Sequence, residues 1–133
     1  ARTRGDLRFG VYSEPASLID AKGIVHALAS CIAQGLEDLA CRAEEVSIFL
    51  DGSLKAPQKF EFESLIRGDS LVPAISLASV VAKVERDRYM AGDAHLAYPL
   101  YGFDRHKGYG TLLHQKAIQI HGLTPLHRRT FIN

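Results

Sequence analysis

The feature that most restricts the fold is a five-residue run, Val46-Ser47-Ile48-Phe49-Leu50, that ends abruptly at Asp51-Gly52. It is apolar at almost every position, too short for a free-standing helix, and rich in residues that suit a pleated surface. This is the pattern of a strand buried on both faces. Such a strand needs neighbours in a sheet and helices over both sides. The flanking sequence offers both. Leu7, Phe9 and Val11 alternate with Arg8, Gly10 and Tyr12, predicting a strand over 7–12 that Ser13-Glu14-Pro15 breaks. From about Leu18 to Leu39 the period becomes helical, with Val25, Leu28, Ile32, Leu36 and Leu39 on one stripe. A second strand follows through Phe60, Phe62, Ser64 and Ile66 and ends at Gly68-Asp69. Pro73 leads into a helix over about Ile75–Met90, whose Ala74, Ser76, Ala78, Ser79 and Ala82 are small enough to let it sit close on a sheet. Tyr98–Gly110 reads as a loop punctuated by Pro99, Gly102, Asp104, Gly108 and Gly110. Thr111 then caps a last helix that Gly122 and Pro125 terminate. The expectation is a mixed α/β chain.

Length and composition narrow the class. The chain has 133 residues, of which 47% are hydrophobic, enough to bury a core and too many for general disorder. No apolar run approaches the length that spans a membrane. Ala1-Arg2-Thr3-Arg4-Gly5-Asp6 has no apolar stretch behind its basic residues and does not read as a signal peptide. The first residue is not Met, so the chain reads as starting partway along a longer product. Cys31 and Cys41 show no CxxC spacing and read as two small buried side chains in a reducing compartment, ahead of a disulfide or a metal site. The net charge is +1, but it is unevenly spread. Residues 1–82 carry 8 Lys/Arg against 11 Asp/Glu, and residues 83–133 carry 8 against 4, with 5 of the 6 His. An acidic part followed by a basic, His-rich part suits carboxylates that hold metal beside a polyphosphate site, although a short chain also reaches such a split by chance.

Several residues are candidates for chemistry. Asp51 follows the buried run directly, at the carboxyl edge of a strand where catalytic groups in α/β sheets gather. The competing reading is a simple Asp-Gly turn. Asp69 closes the second strand in the same manner. Two carboxylates brought to one rim repel unless a divalent cation neutralises them, and hard oxygen donors without Cys favour Mg²⁺ or Mn²⁺ over Zn²⁺. Two are nevertheless too few for a protein-built two-metal site. In the Ser76–Arg88 helix, Lys83 and Asp87 stand one turn apart. The segment reads either as an ordinary amphipathic helix with solvated charges or as one whose Lys83 and Arg86 face phosphate, and spacing leaves that choice open. Glu85 and Arg88 read as solvated. The stretch from Tyr98 to Thr111 interleaves aromatic, basic and Gly residues, as a surface that stacks on sugars and holds phosphates would. A structural loop with buried tyrosines is the alternative. His127-Arg128-Arg129-Thr130-Phe131 repeats the mixture, and equally reads as a solvated end with Phe131 tucked into the core. The His residues lack short ligand spacings, and none is read as a metal ligand.

Arg67-Gly68-Asp69, the Ser76–Arg88 helix, His106-Lys107-Gly108-Tyr109-Gly110-Thr111 and His127-Arg128-Arg129-Thr130-Phe131 occur in the order found in ribonuclease HII. With Asp51 eighteen residues before Asp69, the chain resembles that family from about Phe9 to Phe131. The resemblance implies an RNase H-like fold, a mixed five-stranded sheet flanked by helices, with a helical carboxy-terminal part from about residue 91. It implies a cytoplasmic enzyme that cleaves the RNA strand of RNA–DNA hybrids, and duplex DNA at embedded ribonucleotides. Metal-activated water would attack on the 5′ side of the ribonucleotide, leaving 3′-hydroxyl and 5′-phosphate ends. Asp51 and Asp69 correspond to two of the family's four metal carboxylates. Tyr109 corresponds to the tyrosine that packs on the sugar at an RNA–DNA junction. Lys107 lies in the same motif and, with Lys83, is a candidate substrate contact.

One part of the family pattern is missing. Its other two carboxylates come from an amino-terminal Asp-Glu-Ala-Gly-Arg-Gly strand, and this chain contains no Asp-Glu dipeptide. The expectation is therefore a partial domain over 1–133, incomplete at its amino-terminal edge, or a chain whose partner supplies the missing hairpin. The rival function is a non-catalytic nucleic-acid-binding module. A third is another RNase H-like nuclease such as a DNA resolvase, against which Tyr109 in its His-Lys-Gly-Tyr setting argues.

Overall fold

The computed structural model describes residues 2–4 and 7–132, with the backbone alone considered at 2–4. The reading of Ala1–Asp6 as no signal peptide falls largely on residues outside that set. The chain forms two compact units, one of residues 1–81 and 128–133 and one of residues 82–127. No helix among the described residues is long and apolar enough to cross a membrane.

In the first unit, β1 (Arg2–Arg4) pairs antiparallel with β2 (Leu7–Phe9), and β3 (Ile48–Asp51) pairs parallel with β4 (Phe62–Leu65). The architecture is mixed α/β, as the sequence predicts. The register sets Asp51 opposite Leu65. Val46–Leu50 is not a strand covered on both faces, however. The strand starts at Ile48, Phe49 remains 43% exposed, and among the described residues its sheet has two strands.

The helix expected over 18–39 is two helices, α1 (Ala16–Lys22) and α2 (Ile24–Asp38). Gly23 divides them at φ +85°, a conformation that costs an L side chain dearly and glycine little. Its N–H bonds back to Ile19 O, while its carbonyl accepts from Ala27 N–H. The stripe is also shifted from the expected one: Ala27 is buried and Val25 is 77% exposed. Ile32, Leu36 and Leu39 line an apolar cavity of about 290 Å³ together with Tyr12, Ile48 and Leu50. Cys31 and Cys41 are half-buried free thiols, and burial pushes the Cys31 thiol up from its ordinary value.

The helix α4 (Pro73–Tyr89) begins on Pro73, which loses no helical bond by lacking an N–H at that place. Its small residues do not meet a sheet. Ile75 is buried, whereas Ala74, Ser76, Ala78, Ser79 and Ala82 are exposed.

In the second unit α4 runs on into a π-helical turn, Met90–Ala94, and α5 (His95–Ala97). Met90, Ala94, Tyr101, Phe103 and Ala117 form its core, with Tyr98, Ile118 and Leu126 packed against them. The segment expected to be a loop contains a 3₁₀ turn, Pro99–Tyr101, and α6 (Phe103–His106). Left-handed residues bracket α6, Gly102 at φ +70° and Lys107 at φ +51°, so each helical piece is cut after one turn. Tyr101 is buried and its hydroxyl donates to Gly122 O at 2.8 Å. The final helix α7 (Leu112–His121) has the caps that the sequence predicts. Thr111 Oγ1 accepts from His114 N–H, and Gly122 ends the helix at φ +80°.

Candidate functional site

The carboxylates belong to the first unit. Asp51 is the last residue of β3, so pairing with β4 brings its exposed side chain to the strand's end. Gly52 turns the chain away at φ +65°, and its N–H bonds to Leu65 O at 2.8 Å. Asp51 Oδ1 accepts from the N–H of Gly68 at 2.8 Å, one residue before Asp69. Glycine eases that approach, because a side chain here would have to displace the end of Ile75. A Cβ at position 68 would stand 2.8 Å from Ile75 Cδ1 and 3.4 Å from Asp51 Oδ1.

Asp69 does not close a strand. β4 stops at Leu65, Arg67 adopts the left-handed conformation at φ +56°, and Asp69 falls in the first turn of α3 (Gly68–Leu71) with its side chain exposed. The reversal at Arg67 ends the ladder earlier than the alternation of Phe60 to Ile66 suggests. Asp51 and Asp69 are hard oxygen donors, the chemistry that suits Mg²⁺ or Mn²⁺. Among the described residues no group of three or more His, Cys, Asp or Glu side chains is placed to hold an ion.

The aromatic and basic residues belong to the second unit. Tyr109 is 49% exposed between Gly108 and Gly110. Two cations lie close to its ring, with Lys83 Nζ 5.1 Å and Arg86 Cζ 5.0 Å from its centroid. Lys83 Nζ also donates to the Tyr109 hydroxyl at 2.9 Å and to Asp87 Oδ2 at 3.0 Å. These bonds, the one to Tyr109 first, hold the Lys83 ammonium above its ordinary pKa and keep it charged. Asp87 Oδ1 approaches Arg86 at 3.5 Å, so one carboxylate steadies both cations. Glu85 and Arg88 pair with each other at 3.0 Å, in keeping with the solvated role expected of them.

The loop that carries Tyr109 is tightly built. Lys107 and Gly108 both have positive φ, and a Cβ on Gly108 would meet Met90 Cε at 3.0 Å. Lys107 is turned into this loop, where its ammonium donates to the carbonyl of Asp104. An exposed ring flanked by cations and glycines can pack on a sugar while Lys83 and Arg86 meet the phosphates beside it.

The structure also gathers His106 and His127, which open two of the motifs without a role assigned to them, with His114, which lies in none of them. His106, His114 and His127 are buried around Phe103, with the rings of His106 and His114 stacked 4.5 Å apart. The hints in the sequence are the crowding of His into its second half and the place of His106 and His127 at the head of two motifs. The carboxy-terminal segment differs from expectation too. Phe131 is 54% exposed under the Arg128 guanidinium, not tucked into the core. The 3₁₀ turn Arg129–Phe131 is instead tied down by Asp20, which accepts from Arg129 N–H, Thr130 N–H and Thr130 Oγ1.

A family model described as ribonuclease HII matches residues 3–133. The ribonuclease HII of Ralstonia pickettii (strain 12J) is 44% identical over 114 residues, 85% of this chain and 49% of that protein. That of Chloroflexus aurantiacus (strain ATCC 29364 / DSM 637 / Y-400-fl) is 44% identical over 128 residues, 94% of this chain and 58% of the relative. That of Marinomonas sp. (strain MWYL1) is 40% identical over 126 residues, 94% of this chain and 62% of the relative. The chain spans about half the length of the curated relatives it matches.

Proposed function

The chain belongs to the ribonuclease HII family, and on that premise we propose that it serves in endonucleolytic cleavage of the RNA strand in RNA–DNA hybrids and of duplex DNA at embedded ribonucleotides, in the cytoplasm. The observation that carries the reading is the exposed Tyr109 ring with Lys83 at its hydroxyl and Arg86 5.0 Å from its centroid. An exposed ring with two cations beside it and glycines before and after it suits a sugar–phosphate backbone better than it suits a protein core. Tyr109 packs on the sugar at the junction. Lys83 and Arg86 hold adjacent phosphates, and Lys107 adds charge from the same loop.

Asp51 and Asp69 hold divalent metal, Mg²⁺ or Mn²⁺, with further carboxylates that the family's Asp-Glu-Ala-Gly-Arg-Gly segment provides. Bound metal supplies activated water and stabilises the leaving oxygen. The Gly68 N–H fixes one oxygen of Asp51, which leaves the other oxygen and Asp69 as donors. A second reading, nucleic-acid binding without cleavage by this chain alone, is favoured by the absence of a three-ligand cluster among the described residues. Incubating the chain in Mn²⁺ with a duplex that contains one ribonucleotide, with and without the family segment joined to it, separates the two. Cleavage that needs the segment supports the nuclease. No cleavage in either case, with binding retained, supports the second reading.

A further inference from the structure

The hydrogen bonds around the buried histidines fix where each carries its proton. The backbone N–H of Thr124 donates to His127 Nδ1 at 2.9 Å, and Thr124 Oγ1 lies 2.8 Å from the same nitrogen. A nitrogen that faces an N–H donor carries no proton, so neutral His127 holds its proton on Nε2. His127 Nε2 lies 3.0 Å from His114 Nε2. One of those nitrogens must donate and the other accept, and His127 is the donor. His114 therefore carries its proton on Nδ1, which donates to the carbonyl of Tyr109 at 3.0 Å. The bonds run in one direction, from Thr124 N–H through both imidazoles to Tyr109. His106 braces the same loop: its Nδ1 accepts from Gly108 N–H at 3.1 Å, so its Nε2 donates to Tyr101 O at 2.8 Å.

From this we infer that His114 and His127 are positioning residues, a buried relay that holds the Tyr109 backbone, and with it the Tyr109 ring, in place while both imidazoles are neutral. Either proton that could be added breaks the chain. On His114 Nε2 it would oppose the N–H of His127, and on His127 Nδ1 it would oppose the N–H of Thr124. Both side chains are buried, 7% and 8% exposed, with the Phe103 ring edge-on to His114. A broken bond there is not replaced by water at low cost.

The titratable groups that face the pair are His106, stacked on His114, and Tyr101, whose ring lies 5.6 Å from that of His127. Burial pushes both imidazoles below their ordinary value of 6.5, and the neighbouring rings oppose a second charge. The folded state thus favours the neutral forms. The relay is fully present above about pH 6.5 and, in the folded protein, is lost only as pH falls through folded-state values that lie below 6.5.

The consequence for substrate rests on the reading of Tyr109 as a sugar contact, whereas the relay itself does not. Two-bond ¹H–¹⁵N imidazole spectra of the chain at about pH 7.5 test the relay directly, because they separate the two neutral tautomers. The expected result is His114 protonated on Nδ1, His127 on Nε2, and Tyr109 amide and ring signals that shift together with the His titration. His114→Asn, which places an N–H near Nδ1 and has no Nε2, should leave the Tyr109 signals near their positions and remove their pH response. His127→Phe should displace them at every pH. A charged or oppositely protonated imidazole at neutral pH, or Tyr109 signals that ignore the titration, would overturn the relay. Affinity for an RNA–DNA hybrid in EDTA then tests its use. The fall between about pH 7.5 and a pH below the His midpoint seen in those spectra should be at least roughly fivefold larger than for Tyr109→Ala. Equal falls with the expected tautomers would overturn the substrate role of Tyr109 and leave the relay standing.

Discussion

Lys83 Nζ donates to the hydroxyl of Tyr109 at 2.9 Å, joining α4 to a loop 26 residues further along the chain. The bond makes the ring and the cation a single contact surface. It also separates what the ring contributes from what the hydroxyl contributes.

Tyr109→Ala removes both, and should lower cleavage at a single embedded ribonucleotide by roughly 10- to 100-fold, the worth of one aromatic stack. Tyr109→Phe keeps the ring and should cost about 2- to 5-fold, the worth of one exposed hydrogen bond. On a uniform hybrid, where no junction sugar needs sensing, the loss for Tyr109→Ala should be smaller. Tyr101→Phe is the control. It leaves the Gly122 carbonyl without the hydroxyl that now reaches it, which costs stability but should not change the preference between the two substrates. Initial rates on both substrates decide this, and equal losses on the two would reduce Tyr109 to a structural residue.

Asp69→Asn, in the chain completed with the family segment, should lower turnover by roughly 100-fold or more while substrate affinity stays nearly unchanged. Asp87→Asn should cost within about fivefold, because Asp87 steadies Lys83 and Arg86 through partly exposed ion pairs. Single-turnover rates beside hybrid affinities in EDTA separate the two effects. Comparable losses for both variants would mean that Asp69 has no special place in the chemistry.

Much of this was legible where the signal is local. Asp51-Gly52 at a strand end, Thr111 and Gly122 at the ends of α7, and the Lys83–Asp87 spacing all follow from a few adjacent residues. Three of the misplacements share a cause, residues of positive φ. Gly23 divides one apparent helix, Arg67 moves Asp69 from a strand end into a helical turn, and Gly102 and Lys107 cut α6 out of an apparent loop. Arg67 and Lys107 adopt this conformation without being glycine, so composition gives no warning of it. The histidine relay was hidden for another reason. His114 and His127 lie 13 residues apart, and their meeting depends on tertiary packing around Phe103.

Asp20 offers a prediction on pH. Its carboxylate accepts from both N–H groups and the hydroxyl at Arg129–Thr130, and these bonds, the Thr130 backbone first, hold it below its ordinary value of 3.8. A depressed carboxylate stabilises the fold above its ordinary pKa, and that contribution is lost as pH falls through 3.8 towards the folded-state value. The Thr130 amide signal should therefore move with a midpoint below that of a free aspartate, and Asp20→Asn should remove the transition. A midpoint at or above 3.8 would contradict the tie between α1 and the Arg129–Phe131 turn.

The central claim is that Asp51 and Asp69 supply part of the metal-holding carboxylate set of a ribonuclease HII. Its most direct test is strand cleavage of a duplex containing one ribonucleotide in Mn²⁺, by the chain joined to the family's Asp-Glu-Ala-Gly-Arg-Gly segment, with and without Asp51→Asn. The account predicts metal-dependent cleavage on the 5′ side of the ribonucleotide for the unchanged residue. It predicts a loss of roughly 100-fold or more on substitution, with hybrid affinity retained. Cleavage undiminished by Asp51→Asn would contradict it.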